Sequence, residues 1–132
     1  MDLNAIREKT TRFGIGLMSG TSCDGIDAAL VRIKGTGPQM LIKLVAFRTI
    51  PYAPELTLRL LAPHIDAREA CVLNYELGDR LADAAMGMLE TSKDEGVEVD
   101  FVATSGHTLV HLPPRDSHMR GTYQIGEPAI IA

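Results

Sequence analysis

One long amphipathic pattern constrains the fold of this chain more than any other feature of its sequence. Between residues 67 and 93, apolar side chains recur at spacings of three and four, which places them on one side of an α-helix. The other faces carry most of the charged residues. The apolar stripe consists of Leu73, Leu77, Leu81, Ala84 and Met88. The pattern predicts a helix over 67–93, and Gly96 is the residue type that commonly follows a helix end.

Short apolar runs separated by glycine and proline predict strands on both sides of this helix. Segments 13–18 and 26–33 are joined by a short Gly-containing turn, and a third strand follows over about 40–49. Further strands are predicted at 99–104 and 122–125, with a short helix at 55–61 and a helix start at 126–128. The predicted fold class is α/β. Its mixed sheet opens with a three-stranded antiparallel meander, after a loose polar lead-in over 1–11.

Composition narrows the class of protein. A length of 132 residues with 45% hydrophobic content suits one domain with a core of its own. The formal net charge of −4, without a clustered Lys/Arg face, argues against nucleic acid as a partner. No apolar stretch reaches the roughly 18–20 residues that cross a bilayer, and the N-terminus lacks the apolar core of a signal peptide. These observations predict a cytoplasmic protein with no membrane partner.

The stretch "GLMSGTSCDGIDAAL", residues 16–30, concentrates small and polar residues between two predicted strands. Gly20 and Gly25 permit close backbone approach, and backbone N–H groups in such a turn can converge on an anion. Asp24 and Asp27 supply the hard oxygen ligands that Mg²⁺ prefers. One interpretation is therefore a phosphate and magnesium site. The other is a plain hairpin turn whose polar side chains bond their own backbone.

Covalent chemistry is not predicted at this stretch. The carboxylate of Asp24 disfavours the thiolate of Cys23, and Ser19 does not lie in a G-x-S-x-G elbow. Cys23 and Cys71 lack the spacing of a metal or redox motif, so we expect two free thiols. The alternative is a disulfide between them.

A second polar cluster follows the strand predicted at 99–104. It comprises Ser105, Gly106, His107 and Thr108, and ligands of α/β proteins often bind beyond the carboxyl ends of strands. One interpretation gives His107 and Thr108 a role in binding substrate hydroxyls. The other is a histidine that is satisfied by nearby backbone. Zinc binding is not predicted, because no third ligand accompanies His107 and His111.

Four segments resemble the anhydro-N-acetylmuramic acid kinase family, in the same order along residues 13–132. They are "GLMSGTSCDGIDAALVRI", "NYELGDRLADAA", "SGHTLVHLPP" and "TYQIGEPAIIA". The resemblance implies an RNase H-like lobe of the sugar kinase/Hsp70/actin superfamily, and it is compatible with a homodimer. It implies an enzyme that uses ATP and Mg²⁺ to hydrolyse the 1,6-anhydro ring of anhydro-N-acetylmuramic acid and phosphorylate O6. The product would be N-acetylmuramate 6-phosphate, formed in the recycling of murein.

The resemblance also assigns roles to individual residues. Asp24 would lie near Mg²⁺, directly or through water, and His107 and Thr108 would lie towards the sugar. The ATP-binding loop would comprise Gly20, Thr21, Ser22, Cys23, Asp24, Gly25, Ile26 and Asp27.

Two departures from the family pattern limit what is expected of this chain. Thr104, Ser105 and Gly106 stand where the family commonly has Ser-His-Gly. The family's Asp-Phe-Arg-x-x-Asp motif, which supplies the catalytic base, has no match within residues 1–132. We therefore expect no catalytic residue within this chain, and we expect the general base to lie beyond Ala132.

We therefore expect this chain to be an N-terminal lobe without its C-terminal lobe. Such a lobe would be inactive as a kinase by itself. Two alternatives remain open. The first is a stand-alone relative that binds a nucleotide or a partner without catalysis. The second, ranked last, is an RNase H-like nuclease lobe.

Overall fold

A five-stranded mixed sheet forms the centre of the fold in the computed structural model, which describes residues 3–113 and 120–132. The strands lie in the order β3-β2-β1-β4-β5. Neighbouring strands are antiparallel, except that β4 runs parallel to β1. The strands are β1 (Thr11–Ser19), β2 (Gly25–Lys34), β3 (Leu41–Pro51), β4 (Phe101–Leu112) and β5 (Gly121–Ile125). The helices are α1 (Leu3–Glu8), α2 (Pro54–Leu60), α3 (Ala67–Asp94) and α4 (Pro128–Ile131). The predicted α/β class is confirmed.

Helix α3 occupies the segment predicted from the apolar periodicity. The side chain of Asp66 caps its N-terminus by accepting a hydrogen bond from the Glu69 N–H at 2.8 Å. Gly96 follows its end with a φ of +66°, the left-handed conformation in which helices commonly finish. All five residues of the predicted stripe are buried. The periodicity therefore identified both the helix and the face that it turns towards the sheet.

Two clusters of buried residues join the helices to one face of the sheet. The larger lies between α3 and the first two strands, where Ile15, Ile26 and Leu30 meet Leu81 and Met88. The second lies between α2 and the N-terminal half of α3 and includes Leu56, Leu60, Leu73, Leu77, Ile125 and Cys23. Because Cys23 belongs to the turn between β1 and β2, this turn contributes one side chain to the core.

The opposite face of the sheet has no helix packed on it within the described residues. Met18 on β1 and Phe47 on β3 are about half exposed there. None of the helices among residues 3–113 and 120–132 combines the length and the apolar character needed to cross a membrane.

Strand β4 departs from the prediction that a strand ends at residue 104. It continues to Leu112, so the cluster around His107 lies within a strand and not beyond its end. A bulge explains the continuation, because Met18 on β1 faces both Ser105 and Gly106 on β4. Beyond the bulge, β4 pairs with β5. Residues Leu3–Glu8, expected to be loose, form α1, although no side chain of α1 is buried.

Candidate functional site

The turn between β1 and β2, residues 20–24, is called the first turn below. The Cys23 N–H donates to the Gly20 carbonyl at 3.1 Å, which closes the turn. Cys23 has a φ of +53°, and it is the only non-glycine residue with a positive φ among those that the structure describes. Its side chain is buried, whereas those of Thr21, Ser22 and Asp24 are exposed. The first turn therefore points one side chain inwards and three polar ones outwards.

Residues that are distant in sequence hold the first turn in place. The Thr57 hydroxyl, on α2, donates to the Cys23 carbonyl at 2.8 Å. The Tyr52 N–H donates to the Asp24 carbonyl at 3.0 Å. The sulfur of Cys23 packs in the cluster that contains Leu56 and Leu73. Since these contacts come from outside the turn, they fix its backbone against the segment that connects β3 to α2.

The outer side of the first turn carries unused hydrogen-bonding groups. Within the described residues, the backbone N–H groups of Thr21, Ser22 and Asp24 have no protein acceptor. The Ser22 hydroxyl donates to Asp24 Oδ1 at 2.7 Å, which orients the carboxylate. Free amides and hydroxyls suit an anion such as phosphate, and carboxylate oxygens suit Mg²⁺. The donor set therefore fits the phosphates and the metal that the sequence predicted.

The remaining predicted residues, 25–27, begin β2 and have different surroundings. A Cβ on Gly25 would lie 2.3 Å from the Ile50 carbonyl oxygen, so the close approach of β3 requires glycine there. The side chain of Ile26 lies in the core, so only its backbone could reach a ligand. Asp27 accepts a hydrogen bond from the Thr49 hydroxyl at 2.7 Å and is half-buried.

Asp27 also lines an open cleft of about 400 Å³ on the face of the sheet that no described helix covers. Met18, Phe47, Ala103 and Ser105 are among the other residues that line it. A larger cleft of about 610 Å³ lies between the α2–α3 connection and the β4–β5 pair, and includes His64 and Leu109. None of the predicted site residues lines this larger cleft.

His107 is buried beside the first turn, with an exposed fraction of 2%. Its Nδ1 lies 2.9 Å from Ser19 Oγ, and its Nε2 lies 3.9 Å from the Cys23 sulfur. The Tyr52 hydroxyl donates to the same Ser19 oxygen at 2.7 Å. Both ring nitrogens of His107 therefore have partners within the protein. Thr108, its predicted companion, is half-buried and pairs with Gln124 on β5.

The bulge in β4 explains why His107 points inwards. Gly106 has a φ of +65°, and a Cβ on it would lie 2.3 Å from the Ile125 carbonyl oxygen. Its N–H donates to the Thr104 hydroxyl at 2.9 Å. One additional residue in a strand reverses which side chains face the core, and the bulge thus aligns His107 with Ser19.

Burial keeps the titratable groups of this cluster neutral near pH 7. It lowers the pKa of His107 from the ordinary value of 6.5, because the charged imidazolium loses its hydration. Burial also raises the pKa of the Cys23 thiol, and the Asp24 carboxylate raises that pKa further. The pKa of the Tyr52 hydroxyl is raised chiefly by burial. Cys23 is a thiol and not a thiolate, as the sequence predicted, and both cysteines are free.

The C-terminal segment, which ends at Ala132, carries none of the residues assigned to the site. The Ala132 N–H donates to the Pro128 carbonyl at 3.2 Å at the end of α4. The Glu127 N–H donates to the Asn74 carbonyl at 2.9 Å, which anchors the start of α4 on α3. The general base that the sequence placed beyond Ala132 stays a prediction, as does the expectation that no catalytic residue lies within the chain.

Sequence reasoning missed three contributors to this site. Tyr52 and Thr57 were not singled out, although Tyr52 lies between Pro51 and Pro54, which fix the path of the chain there. For Ser19 the sequence only argued against a nucleophile, whereas this residue is 5% exposed and its hydroxyl is bound to His107. A polar residue at an inward position of an otherwise apolar strand is the signal that could have identified Ser19.

Comparison with known proteins gives consistent matches along the chain. The model of the family described as anhydro-N-acetylmuramic acid kinase matches residues 12–132. The anhydro-N-acetylmuramic acid kinase of Caldanaerobacter subterraneus subsp. tengcongensis is 38% identical over 135 residues, which cover 96% of this chain and 34% of that protein. The protein of the same name from Bacillus thuringiensis subsp. konkukian is 37% identical over 123 residues, with coverages of 89% and 32%. The chain spans about a third of the length of these curated relatives.

Proposed function

The chain belongs to the anhydro-N-acetylmuramic acid kinase family, and on this premise we propose that it supplies the ATP-phosphate-binding side of a sugar kinase. In the proposed reaction, water adds to C1 of anhydro-N-acetylmuramic acid and the C1–O6 bond opens. O6 takes the γ-phosphoryl group of ATP, which leaves N-acetylmuramate 6-phosphate and ADP. The observation that carries this proposal is the first turn, whose free amides, hydroxyls and carboxylate surround a buried cysteine.

In this proposal the first turn binds the β- and γ-phosphates. The N–H groups of Thr21, Ser22 and Asp24 would donate to phosphate oxygens, helped by the Thr21 hydroxyl. The Ser22 hydroxyl donates to Asp24 Oδ1 and orients that carboxylate. Gly20, Cys23, Gly25 and Ile26 contribute backbone and shape, since the last three are buried. Asp24 would hold Mg²⁺, directly or through water, and the bound ion would neutralise charge that develops on the phosphates. Asp27 would orient water or phosphate from the floor of the neighbouring cleft.

The sugar side of the proposed site involves β4. Thr108 is half-buried and remains the residue of the predicted pair with a hydroxyl available for the substrate. For His107, which the sequence placed towards the sugar, the contacts with Ser19 and Cys23 favour an indirect role.

We also propose that this lobe is RNase H-like. Three strands paired in antiparallel order and followed by a strand parallel to the first support that assignment.

Nuclear magnetic resonance on the ¹⁵N-labelled chain tests the phosphate-binding role. Titration with Mg²⁺ and the non-hydrolysable analogue adenosine 5′-(β,γ-imido)triphosphate should shift the amide signals of residues 20–27 saturably. The turn between β2 and β3, residues 35–40, serves as an internal control and should not respond. Shifts confined to other parts of the chain, or none at millimolar analogue, would contradict the proposal.

Activity is tested in a chimera, because phosphoryl transfer depends on groups on both sides of the reacting atoms. Residues 12–132 would replace the matching third of the Caldanaerobacter relative. We expect the chimera to phosphorylate anhydro-N-acetylmuramic acid, and the 132-residue chain alone to show no turnover. A folded chimera that binds ATP without turnover would instead favour a nucleotide-binding module without catalysis.

A further inference from the structure

We propose that His107 is a positioning residue, which holds the first turn in its phosphate-facing conformation through a buried chain of hydrogen bonds. The chain runs from the Tyr52 hydroxyl to Ser19 Oγ at 2.7 Å, and from Ser19 Oγ to His107 Nδ1 at 2.9 Å. It continues from His107 Nε2 to the Cys23 sulfur at 3.9 Å, and from that sulfur to the Thr21 carbonyl at 3.6 Å. It therefore ends inside the first turn.

In this chain of hydrogen bonds, each group donates to the next one, from Tyr52 towards Thr21. Because Tyr52 donates to Ser19 Oγ, the Ser19 hydrogen is available to the lone pair of His107 Nδ1. In this arrangement the hydrogen of the neutral ring would reside on Nε2 and face the Cys23 sulfur. The Cys23 thiol in turn donates to the Thr21 carbonyl. Bonds aligned in this way polarise and strengthen one another in a buried environment.

The strained backbone of the first turn explains why such support is needed. A left-handed conformation is sterically unfavourable for a non-glycine residue, and Cys23 adopts it with a φ of +53°. Contacts of its side chain within the core, 2% exposed, offset that cost. With Cys23 fixed inwards, its neighbours Ser22 and Asp24 are fixed outwards. Loss of the hydrogen bonds of the Tyr52 hydroxyl or the His107 ring should therefore disturb the side chains of Ser22 and Asp24, although neither group is hydrogen-bonded to them.

Covalent catalysis by the same residues does not fit the geometry. Ser19 is 5% exposed and His107 is 2% exposed, so no substrate reaches the serine oxygen in this arrangement. Both Ser19 and His107 are instead saturated with protein partners. The contacts of Ser19 and His107 therefore suit a structural role in the first turn.

The test compares Tyr52→Phe, which removes only the first donor of the chain, with Tyr123→Phe, which removes an exposed hydroxyl on β5. In the unmodified chain, ¹⁵N shifts of the His107 ring should report a hydrogen on Nε2. Tyr52→Phe should alter those ring shifts, move the amide signals of residues 21–24, and weaken binding of Mg²⁺ and the imidotriphosphate by about 3- to 10-fold, the net scale of one hydrogen bond. Tyr123→Phe should leave all three readouts unchanged.

Two substitutions at position 107 distinguish the hydrogen bond to Ser19 from the contact with Cys23. His107→Asn keeps a polar atom near Nδ1 for Ser19 and loses the group that faces Cys23, whereas His107→Gln does the reverse. If the link to Cys23 holds the turn, His107→Gln retains more of the native amide shifts of residues 21–24. Equal disturbance by both variants in a chain that still unfolds cooperatively would overturn the proposal.

The phosphate-binding readout rests on the proposed function, but the ring and amide shifts do not. If the unmodified chain fails to bind the analogue, the proposed function fails while the shifts still decide the role of His107. If it binds, and Tyr52→Phe leaves ring shifts, turn amides and affinity unchanged, the positioning role alone is wrong. A hydrogen found on Nδ1 in the unmodified chain would also overturn it.

Discussion

Two turns connect the first three strands of this protein, and they are built in opposite ways. The first turn, residues 20–24, is held by Tyr52, Thr57 and His107 from three other parts of the chain. The second turn, residues 35–40, has mostly exposed residues, a single 3-10 turn, and glycines at its positive φ angles, +79° at Gly35 and +64° at Gly37. Both reverse the chain between antiparallel strands of one sheet. Only the first uses a non-glycine residue in a left-handed conformation.

The difference shows where the shape of each turn originates. The second turn follows from its own sequence, because glycine adopts a positive φ without steric cost. In the first turn, tertiary contacts impose the positive φ on Cys23. As a consequence, the polar side chains of the turn are fixed outwards. A turn that only reverses the chain does not need tertiary contacts that hold a strained residue. Imposed strain at a surface turn is typical of ligand sites.

The largest difference should appear when a methyl group is added to Gly25, which directly follows the first turn, and to Gly37 in the second turn. A Cβ on Gly25 would lie 2.3 Å from a backbone oxygen of β3, which cannot move without separating β2 from β3. We expect Gly25→Ala to lower the free energy of unfolding by about 3 kcal/mol or more. Gly37 has open space around it, so Gly37→Ala should cost only the left-handed conformation, about 1–2 kcal/mol.

Urea denaturation followed by circular dichroism measures both variants. Gly16→Ala provides a third comparison, since Gly16 lies in β1 with nothing within 4 Å of its Cβ position. Equal decreases in the free energy of unfolding at positions 25 and 37 would mean that β3 shifts at little cost. The first turn would then be no more constrained than the second.

The next largest effect concerns the activity of the chimera described above. Asp24→Asn keeps the size of the side chain and removes the charge that we propose holds Mg²⁺. Turnover should fall by roughly 100-fold or more, the usual scale for loss of one preorganised electrostatic contact at a reacting centre. Asp94→Asn, at the exposed end of α3, is the matched control and should have no effect. Unchanged turnover in Asp24→Asn would make Asp24 a purely structural residue of the turn.

A pH titration of stability sharpens the comparison further, because only the first turn rests on a buried histidine. The pKa of His107 in the folded protein lies below its ordinary value of 6.5, so the unfolded chain binds a proton first as the pH falls. Its contribution to stability is therefore complete above pH 6.5 and is lost as the pH falls from 6.5 through the folded pKa. Each unit of lowering corresponds to about 1.4 kcal/mol. The titratable groups that face it, Cys23 and Tyr52, have raised pKa values and stay neutral over this range.

Chemical denaturation between about pH 7.5 and 5 measures this dependence. His107→Asn should flatten the curve below the ordinary histidine pKa of 6.5, and His64→Asn, at an exposed position, should leave it as in the unmodified chain. A curve that stays steep in His107→Asn would assign the dependence to another group.

The same contrast explains which features could be predicted from the sequence. Helix α3 and its buried stripe follow from local periodicity, and the strands of the meander follow from apolar runs between glycines. The residue types of the first turn left a phosphate site and a plain turn open, the family resemblance favoured the site, and neither predicted how the turn is anchored. Ser19 lies 88 positions from His107 and 33 from Tyr52, and no local pattern encodes such pairings. The predicted extent of β4 was wrong because the strand continues past a bulge at Gly106, which changes the direction of the side chains that directly follow it, His107 among them.

The smallest effect separates the stability of the first turn from its proposed binding role. Ser22→Ala removes an exposed hydroxyl that bonds Asp24 Oδ1 at 2.7 Å, so the free energy of unfolding should change by less than about 0.5 kcal/mol. Affinity for Mg²⁺ and the imidotriphosphate should nevertheless fall about three-fold, since the hydrogen bond that orients the Asp24 carboxylate is lost. Thr36→Ala, an exposed hydroxyl of the second turn without a capping hydrogen bond, should change neither quantity. A destabilisation above about 1 kcal/mol in Ser22→Ala would mean that the exposed Ser22–Asp24 bond, and not the buried contacts of Cys23, shapes the turn.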